Sequence, residues 1–349
     1  MKARLIYNPT SGQEIIKKYI ADILEKLESY GYETSAFATT VKKDSAKNEA
    51  KRVSNLDFDL IVAAGGDGTL NEVINGIMQI EESRRPQLAI LPTGTTNDFA
   101  RALKIPRNKP LRALEVIEKK QILNIDIGYV KNNESYFINI AAGGALTELT
   151  YSVPSQLKTI FGYLAYLSKG AELLPRVKKQ PVRIHYDGQV IEEDISMFFC
   201  ALTNSVGGFE RIAPDALLND GRFTLILVKT DNIFDLIALF SMIASGSVKH
   251  VEDKNIIYIK ASSVTIEPLN LEKWMVNLDG EYGGLAPVYF ENKKRAIEMF
   301  VNLDEVSDEN YEEELEDDHD LVLESYTHKF VEEVRNLTER QVEKNDKIE

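Results

Sequence analysis

The segment GGDGTLN at residues 65–71 combines the residue types that bind phosphate groups in proteins. Its glycines allow a sharp turn and a close backbone approach to a ligand, and the N–H groups at the start of a following helix suit phosphate oxygens. Asp67 adds a carboxylate of the kind that magnesium–nucleotide complexes use. The segment is not a Walker A loop, because no Lys-Ser/Thr pair follows its glycines, and it lacks the third glycine of a dinucleotide fingerprint. We interpret it as a phosphate-binding turn rather than an ordinary strand-to-helix turn.

Two further polar loops have the same place between a strand and a helix. NPTSG at residues 8–12 follows the first apolar run, and PTGTTND at residues 92–98 follows a later one. Thr96 or Asn97 could cap the helix after the second loop. Each loop alone is a common turn. However, parallel strands deliver their carboxyl ends to one edge of a sheet, so we expect all three loops to converge there.

The elements that must position these loops alternate between strand and helix. Short apolar runs predict strands at residues 4–8, 34–38, 59–64 and 87–91. Helical spacing of apolar residues predicts helices over residues 19–27 and 70–77, and another is expected over 44–54. This order predicts an α/β nucleotide domain, built on an open and largely parallel sheet, over residues 1–123.

From about residue 122 onward, the pattern changes to many short strands separated by turns. Such a pattern predicts an antiparallel β-sandwich, which we assign to residues 124–295, with the chain returning to the first domain near 296–303. Two helical stretches, at residues 155–174 and 232–244, interrupt the strands. The fold class expected is therefore α/β followed by all-β.

The negative charge of the chain is concentrated at its end. Residues 304–349 contain 18 acidic and 5 basic side chains, which account for −13 of the net charge of −14. The nearly neutral body does not resemble a nucleic-acid binder, which would show a basic surface. Within this acidic tail, apolar residues recur at helical spacing between 323 and 337. Docking on the protein's own body, self-association and binding of a regulatory partner all remain open for that helix.

Other bulk features predict a cytoplasmic protein. A length of 349 residues suggests about two domains. No apolar run approaches the roughly 18 residues that would span a bilayer, and the first residues do not resemble a signal peptide. The single cysteine, Cys200, lies in an apolar run and is expected to be a buried thiol.

Taken together, these segments resemble the diacylglycerol kinase catalytic family, which is related to the sphingosine kinases. The resemblance covers residues 1–302 and rests on NPTSG, GGDGTLNEV and PTGTTNDFARAL in the first half. It continues with AAGG at 141–144, LTNS at 202–205, PDALLNDGRF at 214–223 and NLDGEYGG at 277–284. It implies an ATP- and Mg²⁺-dependent kinase that phosphorylates the primary hydroxyl of diacylglycerol to give phosphatidic acid. The active site would lie between an α/β domain and a β-sandwich.

The resemblance also implies roles for particular residues. Asp67 would hold the catalytic Mg²⁺ through water, and Asp98 and Asp126 would support the same charge network. Glu281 would be the general base, although by sequence alone it is a solvated turn residue. The family's structural Mg²⁺ would use the Asp220 carboxylate and the backbone carbonyls of Leu217 and Arg222, where Arg222 departs from the usual apolar residue. ATP contacts would come from Asn8, Pro9, Thr10, Ser11, Gly12, Thr39, Gly65, Gly66, Asp67, Gly68, Thr69, Leu70, Asn71 and Thr95.

A lipid substrate requires contact with a membrane surface, so we expect a peripheral protein that binds anionic membranes. The apolar stretches at 160–167 and 233–243 are candidate contacts, the first flanked by cations that include Lys178 and Lys179. The alternative is that both stretches only cover the sandwich core. The family often forms dimers, which these residues neither support nor exclude.

Three other functions remain to be weighed. The substrate could be another lipid alcohol, such as a sphingoid base or an isoprenoid. NAD kinases share a GGDGT loop, although the segments at 214–223 and 277–284 argue against that activity. A non-catalytic nucleotide-binding regulator is disfavoured, because Asp67 and Glu281 are both present.

Overall fold

The computed structural model describes residues 1–12, 14–144, 177–204, 216–232, 235–236, 255–271 and 273–302. The stretch predicted to be helical at 155–174, and nearly all of the one at 232–244, lie outside these residues. So do the acidic tail, the apolar stretch at 160–167 and, apart from residues 235–236, the apolar stretch at 233–243. No helix in the described part of the chain is long and apolar enough to cross a membrane.

The N-terminal part is an α/β layer whose first four strands run parallel in the order β2-β1-β3-β4. These strands are β1 (Lys2–Tyr7), β2 (Glu33–Ala38), β3 (Leu60–Gly65) and β4 (Gln87–Pro92). The helices are α1 (Ile20–Ser29), α2 (Ser45–Ser54), α3 (Asp67–Ile77), α4 (Asp98–Ala102) and α5 (Pro110–Glu118). Short 3-10 turns lie at Ile15–Lys18 and Glu82–Arg84.

Burial in this layer follows the apolar spacing of the sequence. Strand β3 is buried along its whole length, as expected for a parallel strand covered on both faces. Helix α1 buries Ile23 and Leu27, and α3 buries its predicted stripe, including Val73 and Ile74. The predicted α/β layer is therefore confirmed, with element ends shifted by at most three residues.

The later strands form two packed sheets. Their bounds are β5 (Ile122–Val130), β6 (Ser135–Phe137), β7 (Ile140–Gly144), β8 (Gln180–Tyr186), β9 (Gln189–Ile195), β10 (Met197–Ala201), β11 (Phe223–Val228), β12 (Ile256–Ala261), β13 (Ser263–Pro268), β14 (Met275–Leu278), β15 (Glu281–Leu285) and β16 (Val288–Phe300). One sheet is antiparallel, in the order β12-β11-β10-β7-β14-β15. The other continues from β4 through β16-β13-β8-β9. Between them lies an apolar core that includes Phe137, Phe198, Trp274 and the buried Cys200. The predicted sandwich is confirmed.

Strand β16 belongs to both parts of the molecule. Its first residues pair with β13, and Met299 pairs with Leu88 of β4. Strand β5 runs antiparallel beside it from end to end, with a register shift between Lys293 and Ile297. The boundary predicted at 123/124 therefore falls within β5, and the return predicted near 296 falls within β16, so these two strands join the layers as one ribbon.

Candidate functional site

The three polar loops meet at the carboxyl ends of β1, β3 and β4. A Cβ atom added to Gly94 would overlap the Cα of Gly66, and one added to Gly12 would overlap the carbonyl oxygen of Thr93. The loops are packed backbone against backbone, an approach that only glycine permits. The convergence expected from a parallel sheet is present.

Backbone hydrogen bonds tie the loops at 8–12 and 92–98 to the end of β3, where the loop at 65–71 begins. The Asn8 N–H donates to the carbonyl of Ala64 at 2.8 Å, and the Thr93 N–H donates to that of Gly65 at 3.0 Å. The Asn8 side chain accepts the Thr10 N–H at 3.0 Å, which closes a local turn. Thr39 lies at the same edge, because its N–H donates to the carbonyl of Tyr7, the last residue of β1, at 2.8 Å. Loops held in this way present a preformed polar rim.

The third loop is closed by Asn97. Its side-chain oxygen accepts the Gly94 N–H at 3.0 Å, and its amide donates to the Gly94 carbonyl at 2.8 Å. Asn97 occupies the N-cap position of α4, as one alternative predicted, but its side chain makes no capping bond to the helix. The side chain shapes the loop instead and leaves Thr95 exposed at its tip.

Asp67 begins α3 and lies beside a second carboxylate. Burial is the main cause that raises its pKa to about 6, and the charge of Asp98 adds to it. The Phe99 N–H donates to Asp67 at 3.3 Å, which opposes the shift without cancelling it. A hard divalent cation bound here would neutralise the negative charge of these two carboxylates.

Within the described residues, no group of three or more His, Cys, Asp or Glu side chains forms a metal cage. Mg²⁺ at nucleotide sites is commonly held by one or two carboxylates together with substrate phosphates and water. Asp67 and Asp98 fit that donor set.

Glu281 lies on a hairpin that packs against α3. Asp279 (φ 50°) and Gly280 (φ 94°) form the two-residue turn between β14 and β15, an Asp-Gly pair with positive φ at both positions. This turn leaves Glu281 exposed at the first position of β15, opposite Leu278. The Asn71 side chain, one turn after Asp67 on α3, donates to Asp279 at 2.9 Å. Asp279 also adds to the negative charge around Asp67.

Asp126 lies beside the turn at residues 217–222. Its buried carboxylate accepts the N–H of Gly221 at 2.6 Å and that of Arg295 at 2.8 Å. Burial raises its pKa, and the charge of Asp220 contributes. The charges that act on Asp67 are those of Asp98 and Asp279, so the described contacts associate Asp126 with Asp220 instead.

Within the turn at 217–222, the carboxylate of Asp220 has two partners among the described residues. It accepts the Arg222 N–H at 2.9 Å and lies 3.6 Å from the ammonium group of Lys260. Leu217 is exposed.

Sequence reasoning missed the contacts that join α3 to the sandwich. Asn71 and Asn75 both donate to the carbonyl of Tyr136, at 3.2 and 3.0 Å, and Asn75 accepts the Tyr136 N–H at 3.0 Å. The available signal was an asparagine, Asn75, beside the apolar stripe of α3, where it is buried. Such a residue needs a partner, but the sequence does not say which.

Comparison with known proteins agrees with this architecture. Residues 2–130 match the diacylglycerol kinase catalytic domain, and residues 149–301 match a YegS C-terminal NAD kinase beta sandwich-like domain. A diacylglycerol kinase of Bacillus subtilis (strain 168) is 51% identical over 300 residues, covering 86% of this chain and 96% of that protein. One of Staphylococcus aureus (strain Newman) is 47% identical over 308 residues, covering 88% and 95%.

Solved structures show the same fold. The crystal structure of a diacylglycerol kinase from Bacillus anthracis str. Sterne has a TM-score of 0.69 at 26% identity and covers 86% of this chain and 97% of that one. An NAD kinase from Archaeoglobus fulgidus, in complex with ATP, has a TM-score of 0.50 at 16% identity and covers 86% and 94%. The second likeness concerns the fold alone.

An α/β layer with converging phosphate-type loops, joined to a β-sandwich, defines the fold class that diacylglycerol kinases share with NAD kinases. Within that class, the chain belongs to the diacylglycerol kinase family. The resemblance predicted from the motifs is thereby confirmed.

Proposed function

We propose that this protein transfers the γ-phosphate of ATP to the primary hydroxyl of diacylglycerol and releases phosphatidic acid and ADP. The observation that carries the proposal is the packing of the Glu281 hairpin on α3, the helix that begins with Asp67. This arrangement brings a base candidate from the sandwich toward the phosphate-type loops of the α/β layer. The names of the two curated relatives support the same substrate.

In the proposed reaction, Glu281 accepts the proton of the lipid hydroxyl. The hydroxyl oxygen forms a bond to the γ-phosphorus, and the bond from that phosphorus to the β–γ bridging oxygen breaks. The electron pair leaves with ADP. An exposed carboxylate at the start of β15 is accessible to such a substrate, and a positioned base typically contributes about 10²–10⁴ in rate.

The backbone N–H groups of residues 65–71 and the rim formed by residues 8–12, Thr39 and Thr95 would bind the phosphates of ATP. Asp67 would help to hold a catalytic Mg²⁺ through water, and Asp98 would support the same charge network. When bound, that ion supplies positive charge that offsets the charge on the transferring phosphoryl group. We assign Asp98 a role in the charge balance of Asp67, which its proximity supports.

A second cation is proposed at the turn of residues 217–222. Asp220 would provide its carboxylate, and Leu217 and Arg222 their backbone carbonyls. Asp126 and Asp220 lie within electrostatic reach of each other, and a divalent ion would neutralise the charge of this pair. Asp126 would therefore act from the side of this second cation, through the loop that it holds.

Phosphate transfer from radiolabelled ATP in mixed micelles tests the proposal. Diacylglycerol, sphingosine, an isoprenoid alcohol and NAD are offered separately, with and without Mg²⁺. We expect labelled phosphatidic acid as the main product, and labelling should fall by about 10²–10⁴-fold in Glu281→Gln. If another lipid is labelled in preference to diacylglycerol, the protein is a lipid kinase with a different substrate. Labelling of NAD alone would overturn the proposal.

Glu33→Gln is a matched control for this experiment. Glu33, like Glu281, is exposed at the first position of an edge strand, but it lies at the amino end of β2, away from the loops. Its substitution should leave the transfer rate unchanged. An equal loss of transfer rate in both variants would show that Glu281 is not the general base.

We further propose that the protein acts from the cytoplasm as a peripheral enzyme on anionic membranes. Lys178 is exposed, whereas Lys179 pairs with Asp231 at 3.7 Å. Cations near an anionic surface contribute about 1 kcal/mol each, so the charge reversals Lys178→Glu and Lys179→Glu should both weaken binding to anionic vesicles, the first more strongly because Lys179 already has an acidic partner. Equal sedimentation of the wild-type protein with anionic and neutral vesicles would contradict the membrane proposal.

A further inference from the structure

The carboxylate of Asp279 collects four N–H donors from two other parts of the chain. One oxygen accepts the N–H groups of Asn139 and Ile140, at 2.9 and 3.0 Å. The other accepts the Ile138 N–H at 2.7 Å and the side-chain amide of Asn71 at 2.9 Å. Three consecutive backbone donors and one side chain therefore converge on a single carboxyl group.

These bonds connect three elements. Residues 138–140 form the corner between β6 and β7, Asn71 lies on α3, and Asp279 itself is the first residue of the β14–β15 turn. The Asp279 N–H in turn donates to the carbonyl of Ile140 at 3.0 Å. Asp279 is therefore the point where the nucleotide-side helix, the sandwich corner and the hairpin are fastened together.

Four hydrogen bonds to one carboxyl group, from two separate parts of the chain, restrict where the turn that carries it can lie. Glu281, in contrast, is exposed at the edge of its sheet, and its position depends on the turn that precedes it. A misplacement of about 1 Å in a reacting group can reduce a rate by about 10²-fold. The turn thus needs an anchor that the edge strand alone does not provide.

We propose that Asp279 is a positioning residue, which holds the hairpin of Glu281 against α3 and so fixes the separation between Glu281 and the phosphate-type turn. The inference rests on the proposed kinase function. It assigns Asp279 no contact with substrate and no proton transfer.

Asp279→Asn tests this role, because it keeps the size of the side chain. An amide has one acceptor oxygen, so one of the two pairs of N–H bonds is lost whichever way it is oriented. We expect kcat for lipid phosphorylation to fall by about 10–100-fold. We expect the Kd for MgATP, measured by calorimetry, to change by less than about threefold, since the three loops remain packed.

Asp187→Asn is the control for a purely structural effect. Asp187 also accepts backbone N–H groups across a turn, from Ser262 and Ser263 at 3.0 and 2.9 Å, but it lies at the β8–β9 hairpin. Asp187→Asn should lower the melting temperature and leave kcat unchanged. If Asp279→Asn keeps kcat within about twofold, or if kcat and MgATP affinity fall together, the positioning role is wrong. Absence of transfer to any lipid by the wild-type protein would instead overturn the proposed function.

A double-mutant cycle with Asn71→Ala tests the link to α3. If the bond at 2.9 Å transmits the position, Asp279→Asn should reduce kcat by a smaller factor in the Asn71→Ala background than in the wild type. Equal factors in both backgrounds would overturn that link.

Discussion

At the scale of single residues, Asp67 shows how a candidate ligand for Mg²⁺ is held under electrostatic strain. Burial and the charge of Asp98 raise its pKa to about 6, from an ordinary value near 3.8. The folded protein therefore binds this proton more tightly than the unfolded chain does. The resulting penalty on folding is small near pH 4, grows as the pH rises toward 6, and is constant above that.

Asp67→Asn should accordingly stabilise the protein in the absence of nucleotide and metal while abolishing transfer. A shift of one pKa unit corresponds to about 1.4 kcal/mol. Since Asp67 retains some exposure, we expect a gain of about 1–2 kcal/mol in the free energy of unfolding at pH 8 and a much smaller gain near pH 4. Urea denaturation at the two pH values measures it.

Asp22→Asn provides the comparison, because Asp22 is also an aspartate in the first turn of a helix, α1, but is exposed. It should be neutral or slightly destabilising at both pH values. A variant at Asp67 that is no more stable than the wild type at pH 8 would contradict the strain described above.

At the scale of elements, helix α3 contains two glycines with opposite surroundings. A Cβ added to Gly68 meets nothing within 4 Å, whereas one added to Gly76 would overlap the carbonyl oxygen of Lys47 on α2. Alanine is the better helix former by about 1 kcal/mol in a helix interior. The same substitution should therefore have opposite effects at the two positions.

We expect Gly68→Ala to raise the stability of the nucleotide-free protein by about 0.5 kcal/mol and to raise the KM for ATP, because its methyl group enters the space that phosphates would occupy. Gly76→Ala should lower stability by about 1–3 kcal/mol through overpacking and leave the KM for ATP unchanged. Thermal unfolding and steady-state kinetics measure both effects. An unchanged KM in Gly68→Ala would place the phosphates away from this turn.

The spacing of apolar residues predicted the helices and strands of the α/β layer well, because the pattern of each element lies within its own residues. The stripe of α3 and the buried run of β3 could be read from spacing alone, and three loops at one sheet edge followed from parallel strands. The bond between Asn71 and Asp279 joins residues 208 positions apart, and no local pattern encodes it. The position of Glu281 is similar: the Asp-Gly turn was visible, but its packing on α3 depends on how two layers dock.

At the scale of the whole molecule, strand β16 contributes to both hydrophobic cores. Phe290 packs in the sandwich, while Ile297, Met299 and Phe300 pack in the α/β core. The Arg85 guanidinium donates to the carbonyl of Ala296 at 2.8 Å and adds a further tie across this strand. Because one hydrogen-bonded sheet runs from β2 to β9 through β16, neither layer can unfold without disrupting a strand of the other.

This continuity predicts a single cooperative unfolding transition in spite of the two layers. Trp274, the one tryptophan of the sequence, is buried in the sandwich and reports its unfolding by fluorescence, whereas the far-UV circular dichroism signal includes helices α1 to α5 of the α/β layer. Val62→Ala removes buried methyl groups from β3, at a cost of about 2 kcal/mol. It should lower the Trp274 midpoint as much as the circular dichroism midpoint. Val182→Ala, in the sandwich strand β8, should likewise lower the fluorescence and circular dichroism midpoints by equal amounts. Two separated transitions, each moved only by its own variant, would show that the ribbon of β5 and β16 bends without coupling the layers.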